Sequence, residues 1–190
     1  MSNSFFRYLY SYFLIILLMI LFITFSAIQI VESNSVANVN GEYVWPVPGH
    51  IYISSYFGYR NSPTAGASTY HSGIDIPAPS GTNILSICDG IVTFASWGAG
   101  GGYTIVIENE AIKVSYCHVS PIFIVSRNDE IKKGQIISTV GPKNVYGINN
   151  NPYKDENGNP TNGATTGCHL HLTIKKDGAI VNPLDFLKLQ

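Results

Sequence analysis

Charge is what this sequence has least of. Asp, Glu, Lys and Arg together make up 12% of its 190 residues, about half the ~25% of an ordinary soluble domain. The few cations are scattered, and no segment carries a basic run. With a formal net charge of −1 and a pI near 6.5, the chain has no footprint for nucleic acid, which is excluded as a partner. Helical periodicity is the second absence. From Trp45 onward no segment holds a 3.6-residue apolar period over ten or more residues, apart from a terminal turn at 183–187. A phosphate loop is missing too: Gly98-Ala99-Gly100-Gly101-Gly102 precedes neither Lys-Ser/Thr nor a helix, and reads as a flexible connection. Histidines number five and cysteines three, so the places where they fall carry information.

What the N-terminus does have is one long apolar run. From Phe13 to Val31 there is no charge, and Thr24, Ser26 and Gln29 are the clearly polar residues. As a helix the run spans roughly 28 Å at ~1.5 Å per residue, close to the thickness of a bilayer's hydrocarbon core. It exceeds the ~7–15 apolar residues of a signal peptide, and so reads first as an uncleaved single-pass membrane anchor. Ser35-Val36-Ala37 has the small-x-small pattern of a cleavage site, which keeps a secreted, processed form as the alternative. A buried core helix is disfavoured by the absence of amphipathic spacing. Arg7 before the run and Glu32 after it place residues 1–12 in the cytoplasm and the remainder outside the membrane. Residues 32–44 are small and polar and read as a linker.

The exported part, residues 45–190, is a series of short β-prone runs broken by Gly, Pro, Asn and Asp. They are TNILSI, GIVTFASW, YTIVIEN, AIKVSYCHV, GQIISTV and CHLHLTI. This pattern predicts an all-β fold, an antiparallel sandwich or barrel-like pair of sheets. Residues 143–163 are rich in Asn, Gly and Pro and hold no strand-length apolar run, so they form a long surface loop, functional or disordered.

Within CHLHLTI, His169 and His171 lie two apart, so on a strand they share a face while Leu170 and Leu172 turn into the core. Alone, such a pair is as readily chance as function. His71 and Asp75 sit in HSGID, where Gly73 lets the chain bend so that both converge, and where the following prolines rule out a helical zinc motif. A turn-stabilising hydrogen bond is the bland reading of that pair. His118 ends another strand. Two neutral imidazoles and one carboxylate make a common catalytic zinc set that leaves one position for water. His50, after Pro48-Gly49, reads as an ordinary turn residue.

These residues stand in a wider pattern: Trp45-Pro46-Val47, Ser54-Ser55-Tyr56-Phe57-Gly58-Tyr59-Arg60, H-x-G-x-D from His71 to Asp75 with Pro79-Ser80-Gly81-Thr82, Asp89-Gly90, Tyr116-x-His118-x-Ser120, Lys133-Gly134, His169-x-His171 and Asn182-Pro183. In this order, over nearly all of residues 45–187, the chain resembles the lysostaphin-like (LytM-type) zinc endopeptidases that cut cell-wall peptides. The resemblance implies a grooved peptidase domain with one Zn2+, His71, Asp75 and His171 as its ligands, and His118 and His169 as the catalytic pair beside the metal. Zinc lowers the pKa of a bound water from ~15.7 toward ~7. One free histidine would then act as general base and the other would stabilise the oxyanion and protonate the leaving amine; which does which stays open. The implied substrates are peptidoglycan stem peptides or cross-bridges, and Tyr103, Tyr116, Tyr146 and Tyr153 are candidates for lining the groove.

The chain departs from the family pattern at Thr173, where a Glu often stands, in the long 143–163 loop, and at Cys117 and Cys168 before two of the histidines. Strand alternation turns both cysteines away from the metal face, where they either pair or, as the favoured reading, stay free as buried small hydrophobes alongside Cys88. A catalytically silent envelope scaffold, or a regulator of other hydrolases with an envelope protein as partner, is the second functional reading. The full set of five candidate site residues favours the enzyme. A pure wall-binding β-module leaves the histidines unexplained.

Overall fold

The computed structural model of the chain describes Phe13 and residues 15–20, 43–64 and 66–187. The expected anchor over 13–31 lies outside these residues except for Phe13 and 15–20, and the linker over 32–44 except for 43 and 44. Phe13 and residues 15–20 are helical and exposed, and among the described residues no helix is long and apolar enough to cross a membrane.

The apolar alternation read from the sequence becomes an all-β architecture with antiparallel pairing. In chain order the strands are β1 (Gly58–Tyr59), β2 (Tyr70–His71), β3 (Ile74–Pro77), β4 (Asn83–Leu85), β5 (Gly90–Trp97), β6 (Tyr103–Glu108), β7 (Ile112–Cys117), β8 (Glu130–Ile131), β9 (Ile136–Thr139), β10 (His169–Lys176) and β11 (Ala179–Val181). The main sheet runs β11-β10-β7-β6-β5-β8. β3 pairs with the first half of β10, from His169↔Pro77 to Leu172↔Ile74, and β11 with its second half, from Ile174↔Val181 to Lys176↔Ala179. Two ribbons, β1-β2 and β4-β9, complete the fold. The turn expected near the C-terminus is a short 3-10 segment, Pro183–Asp185, capped by Asn182.

One face of this sheet supplies the core. Ile105, Ile107, Val114, Leu170, Leu172 and Ile174 are fully buried, each such aliphatic side chain contributing roughly 1.5–3 kcal/mol relative to exposure. Tyr116 belongs to the same core, and its hydroxyl accepts from the Ile87 N–H at 2.8 Å. It is therefore an interior anchor rather than a groove residue.

Gly73 determines how close β3 can come to β10. A Cβ at this position would lie 2.1 Å from the Leu172 carbonyl oxygen. The glycine is there for close backbone approach as much as for bending. The 143–163 segment is hydrogen-bonded rather than loose. Bridges Asn144↔Thr161 and Lys154↔Pro160 close it, and Asp155 Oδ1 accepts from the N–H groups of Asn157 and Asn159 at 3.1 and 2.9 Å. The glycine run before β6 is also ordered by hydrogen bonds, forming a 3-10 turn at Ala99–Gly101 whose carbonyls accept from His118 N and Ala164 N at 2.8 Å each.

Candidate metal centre

Three strands deliver the candidate ligands. β2 carries His71, β3 carries Asp75 opposite His171 in register, and β10 carries His171. Their donor atoms lie within 4.8 Å of one another. His71 Nε2 is 2.9 Å from His171 Nδ1, and Asp75 Oδ1 is 3.1 and 2.8 Å from those two nitrogens. His71 and Asp75 are buried, and His171 is half-buried.

The outer contacts fix which atoms point inward. The Tyr56 carbonyl, 2.9 Å from His71 Nδ1, can only accept, so Nδ1 carries the proton and Nε2 offers a lone pair. On His171 the far nitrogen, Nε2, lies 2.9 Å from the Thr173 hydroxyl, which leaves Nδ1 as the inward donor. Arg60 Nη1 holds Asp75 Oδ2 at 3.1 Å and also bonds the Ser55 hydroxyl, leaving Oδ1 for the centre. Two imidazole lone pairs and a carboxylate oxygen thus face one another at hydrogen-bond distance. Such a set is mutually repulsive unless a proton or a cation lies among it, and two neutral nitrogens with one carboxylate fit zinc. Burial raises the Asp75 pKa, but the imidazoles of His169, His171 and His71 around it outweigh that and hold the carboxyl well below the usual range. Burial lowers the His171 pKa, opposed by Asp75. Both shifts favour an ionised Asp75 beside a neutral His171.

His118 and His169 stand beside this cluster with ring centroids 4.7 Å apart. His169 keeps the alternation read from the sequence, with Leu170 and Leu172 buried behind it. Its Nδ1 donates to the Gly167 carbonyl at 3.0 Å, with the Thr165 hydroxyl at 3.3 Å, and its Nε2 is 3.5 Å from Asp75 Oδ1. His118 lies just past β7 in the left-handed region, at φ 59°, and its Nδ1 donates to the Asn162 carbonyl at 2.6 Å. Burial, with His169 and His171 adding to it, pushes its pKa down to about 3.

That backbone turn corrects the alternation argument for Cys117. Cys117 is paired directly with His171 across β7 and β10 and lines the groove, facing the metal side rather than away from it. His118 reaches the same region because its positive φ breaks the two-residue period. All three cysteines are free. Burial pushes the Cys117 thiol up to about 11, which keeps it neutral and a poor ligand.

The five histidine and aspartate candidates share a groove of about 620 Å3, lined also by Arg60, Tyr70, Ser72, Thr165 and Thr166. Of the aromatic candidates, none of Tyr103, Tyr116, Tyr146 and Tyr153 lines it; Tyr70 does. Ser55 and Arg60 stand in the Ser54–Arg60 pattern and Thr173 at a departure from the family's, while the contacts of Asn162 and Thr165 carried no sequence signal.

A family model described as Peptidase family M23 matches residues 69–183. The chain therefore belongs to Peptidase family M23, in agreement with the lysostaphin-like resemblance. It is 31% identical over 133 residues to the DD-carboxypeptidase/endopeptidase Mpg of Neisseria meningitidis, which covers 70% of this chain and 26% of that protein. Among solved structures, a zinc-containing peptidase from Vibrio cholerae is similar at 27% identity and a TM-score of 0.58, covering 77% of this chain and 39% of its own. The catalytic domain of lysostaphin from Staphylococcus simulans shares the fold at 24% identity and a TM-score of 0.56, covering 71% and 90%. The chain spans about a quarter of the length of the first curated relatives it matches.

Proposed function

We propose that this chain is a zinc-dependent endopeptidase that hydrolyses peptide bonds in bacterial cell-wall peptidoglycan. The observation that carries the reading is the division of labour in the groove. His71, Asp75 and His171 converge on one point, with outer hydrogen bonds selecting their inward atoms. His118 and His169 stand beside that point with their own Nδ1 atoms tied to backbone carbonyls. Family membership and the endopeptidase named among the relatives support the hydrolase class.

His71 Nε2, Asp75 Oδ1 and His171 Nδ1 would hold the zinc, and bound zinc supplies Lewis-acid activation of water and of the scissile carbonyl. The remaining work falls to this chain's side chains. His118 hydrogen-bonds no carboxylate among the described residues and is the neutral imidazole, so its bare Nε2 takes the proton of the attacking water. His169 holds its Nε2 3.5 Å from Asp75 Oδ1, on the other side of the same point. It stabilises the developing oxyanion and passes a proton to the leaving amine. The open groove beside β2 and β10 admits an extended peptide. Held by an N-terminal anchor, the domain works on the outer side of the membrane.

The deciding measurement is zinc content and muropeptide release by the full chain and by His118→Ala. One zinc in both, with release by the parent alone, supports the reading. Zinc without release from any of several wall types favours the silent scaffold, and absence of zinc overturns the centre itself.

A further inference from the structure

We infer that Asn162 is the positioning residue of His118, so that the foot of the 143–163 segment is part of the catalytic apparatus and not a lid over it. The inference rests on His118 acting through a bare Nε2, as proposed above. Asn162 is fully buried although polar, and each of its hydrogen-bonding groups is engaged. Its side-chain Oδ1 accepts from Tyr103 N at 2.8 Å, and its Nδ2 donates to the Val119 carbonyl at 3.0 Å. Its main-chain N–H donates to the Lys143 carbonyl at 2.9 Å, closing the segment's base. The remaining group, the main-chain carbonyl, receives His118 Nδ1 at 2.6 Å.

The side-chain amide therefore bridges the start of β6 to the residue immediately after His118, and presents the carbonyl to the ring from a fixed position. Space is made for it by glycine backbones on several sides. A Cβ at Gly102 would lie 2.3 Å from the Asn162 carbonyl oxygen, and one at Gly141 would lie 2.5 Å from its Nδ2. The φ of 59° at His118 is of the kind that costs of order 1–3 kcal/mol and persists only where surrounding contacts over-determine it. The asparagine clamp is such a contact.

A carbonyl oxygen can only accept, so the proton of a neutral His118 is held on Nδ1 and its Nε2 stays bare. A purely structural asparagine would need the contacts to Tyr103 and Val119 but no ring nitrogen at 2.6 Å. The residues that follow the segment orient the other free histidine: the Gly167 carbonyl and the Thr165 hydroxyl flank His169 Nδ1. The segment's foot and the residues just after it thus set the tautomers of the two off-metal imidazoles, Asn162 that of His118 and Gly167 that of His169.

The test uses the zinc-loaded full chain labelled with 15N-histidine, read by NMR alongside wall-peptide kinetics. In the parent, His118 should show a protonated, pyrrole-type Nδ1 and a bare, pyridine-type Nε2. Asn162→Ala should keep its zinc, lose the single-tautomer signature, and drop kcat about 10–100-fold with KM within about twofold. Asn162→Asp keeps an acceptor for Tyr103 N and loses the donor to Val119. It should fall between the two, and it carries the test if the alanine variant does not fold. An Nε2–H tautomer in the parent overturns the inference whatever the variants do. So does a folded variant whose kcat falls while the His118 tautomer is unchanged, or one with parental kcat. If the parent releases no peptide, the enzyme reading fails, and the tautomer spectra still decide the role of Asn162.

Discussion

The substitution Thr173→Val isolates one hydrogen bond. Thr173 is buried, with its hydroxyl 2.9 Å from His171 Nε2 and 3.4 Å from the Ser72 hydroxyl. Valine keeps the shape and the strand preference while removing the acceptor. In the metal-loaded state His171 must keep Nδ1 inward, so its Nε2–H is left without its partner. An orphaned buried donor costs about 1–3 kcal/mol, and at 1.4 kcal/mol per decade this weakens zinc binding by roughly 5–150-fold. Competition against a chelator of known affinity measures it directly. Thr173→Ser restores the hydroxyl and should recover affinity to within about threefold of the parent. In the metal-free protein His171 can carry its proton on Nδ1 toward Asp75 Oδ1, 2.8 Å away, so no donor is orphaned and the thermal midpoint should move by no more than about 2 °C. Zinc affinity within twofold of the parent in the valine variant would refute the claim that Thr173 supports the ligand in place of a carboxylate.

Other outcomes follow from the same geometry. His118→Ala should retain zinc and lose about 10²–10⁴-fold in peptide release, since its ring lies beside the cluster and not in it; a loss of zinc would place it among the ligands instead. Gly73→Ala puts a methyl against the Leu172 carbonyl and should cost about 1–3 kcal/mol by chemical denaturation, with zinc affinity falling as β3 is pushed from β10. Burial pushes the Cys88 thiol up to about 11 from an ordinary 9.0. A raised acid pKa stabilises fully below the unfolded value and less as pH rises through the folded one. Stability should therefore fall between about pH 9 and 11, with Cys88 contributing of order 2–3 kcal/mol for its full shift, and Cys88→Ala should shrink that limb of a urea-midpoint profile to the part due to Cys117. A slope identical to the parent's would remove Cys88 as its source.

The strands with strong apolar patterns were legible, and their limits differ from the sequence runs by only a few residues. The run CHLHLTI became β10 with its histidines on the groove side, because alternation holds wherever one face is buried. β1, β2 and β8, each two residues long, are too short to leave a period, and they form only because tertiary contacts bring their partners alongside. Alternation failed at Cys117 because the next residue adopts a left-handed backbone, which no residue in CHVS announces. Tyr116 is a groove candidate by residue type, but an aromatic ring in the middle of an apolar strand is absorbed by the core. The contacts of Arg60, Thr165 and Asn162 were illegible for another reason. Their roles exist only through long-range closure, as between His118 and Asn162, 44 residues apart, and a polar residue in a loop looks the same whether or not it reaches a partner.

The hydrogen bonding of the 143–163 segment divides it into a foot and a head with different freedoms. The foot, at Lys143, Asn144, Thr161 and Asn162, is tied to β6 and to the backbone after His118. The head turns around Asp155 through its own bonds to Asn157 and Asn159, with Gly158 in a left-handed turn that has nothing within 4 Å of where a Cβ would point. Extra residues placed between Asn157 and Gly158 would lengthen an exposed tip whose closure entropy grows only slowly with length. That tip is where a fluorophore or an affinity tag can be carried without disturbing the groove.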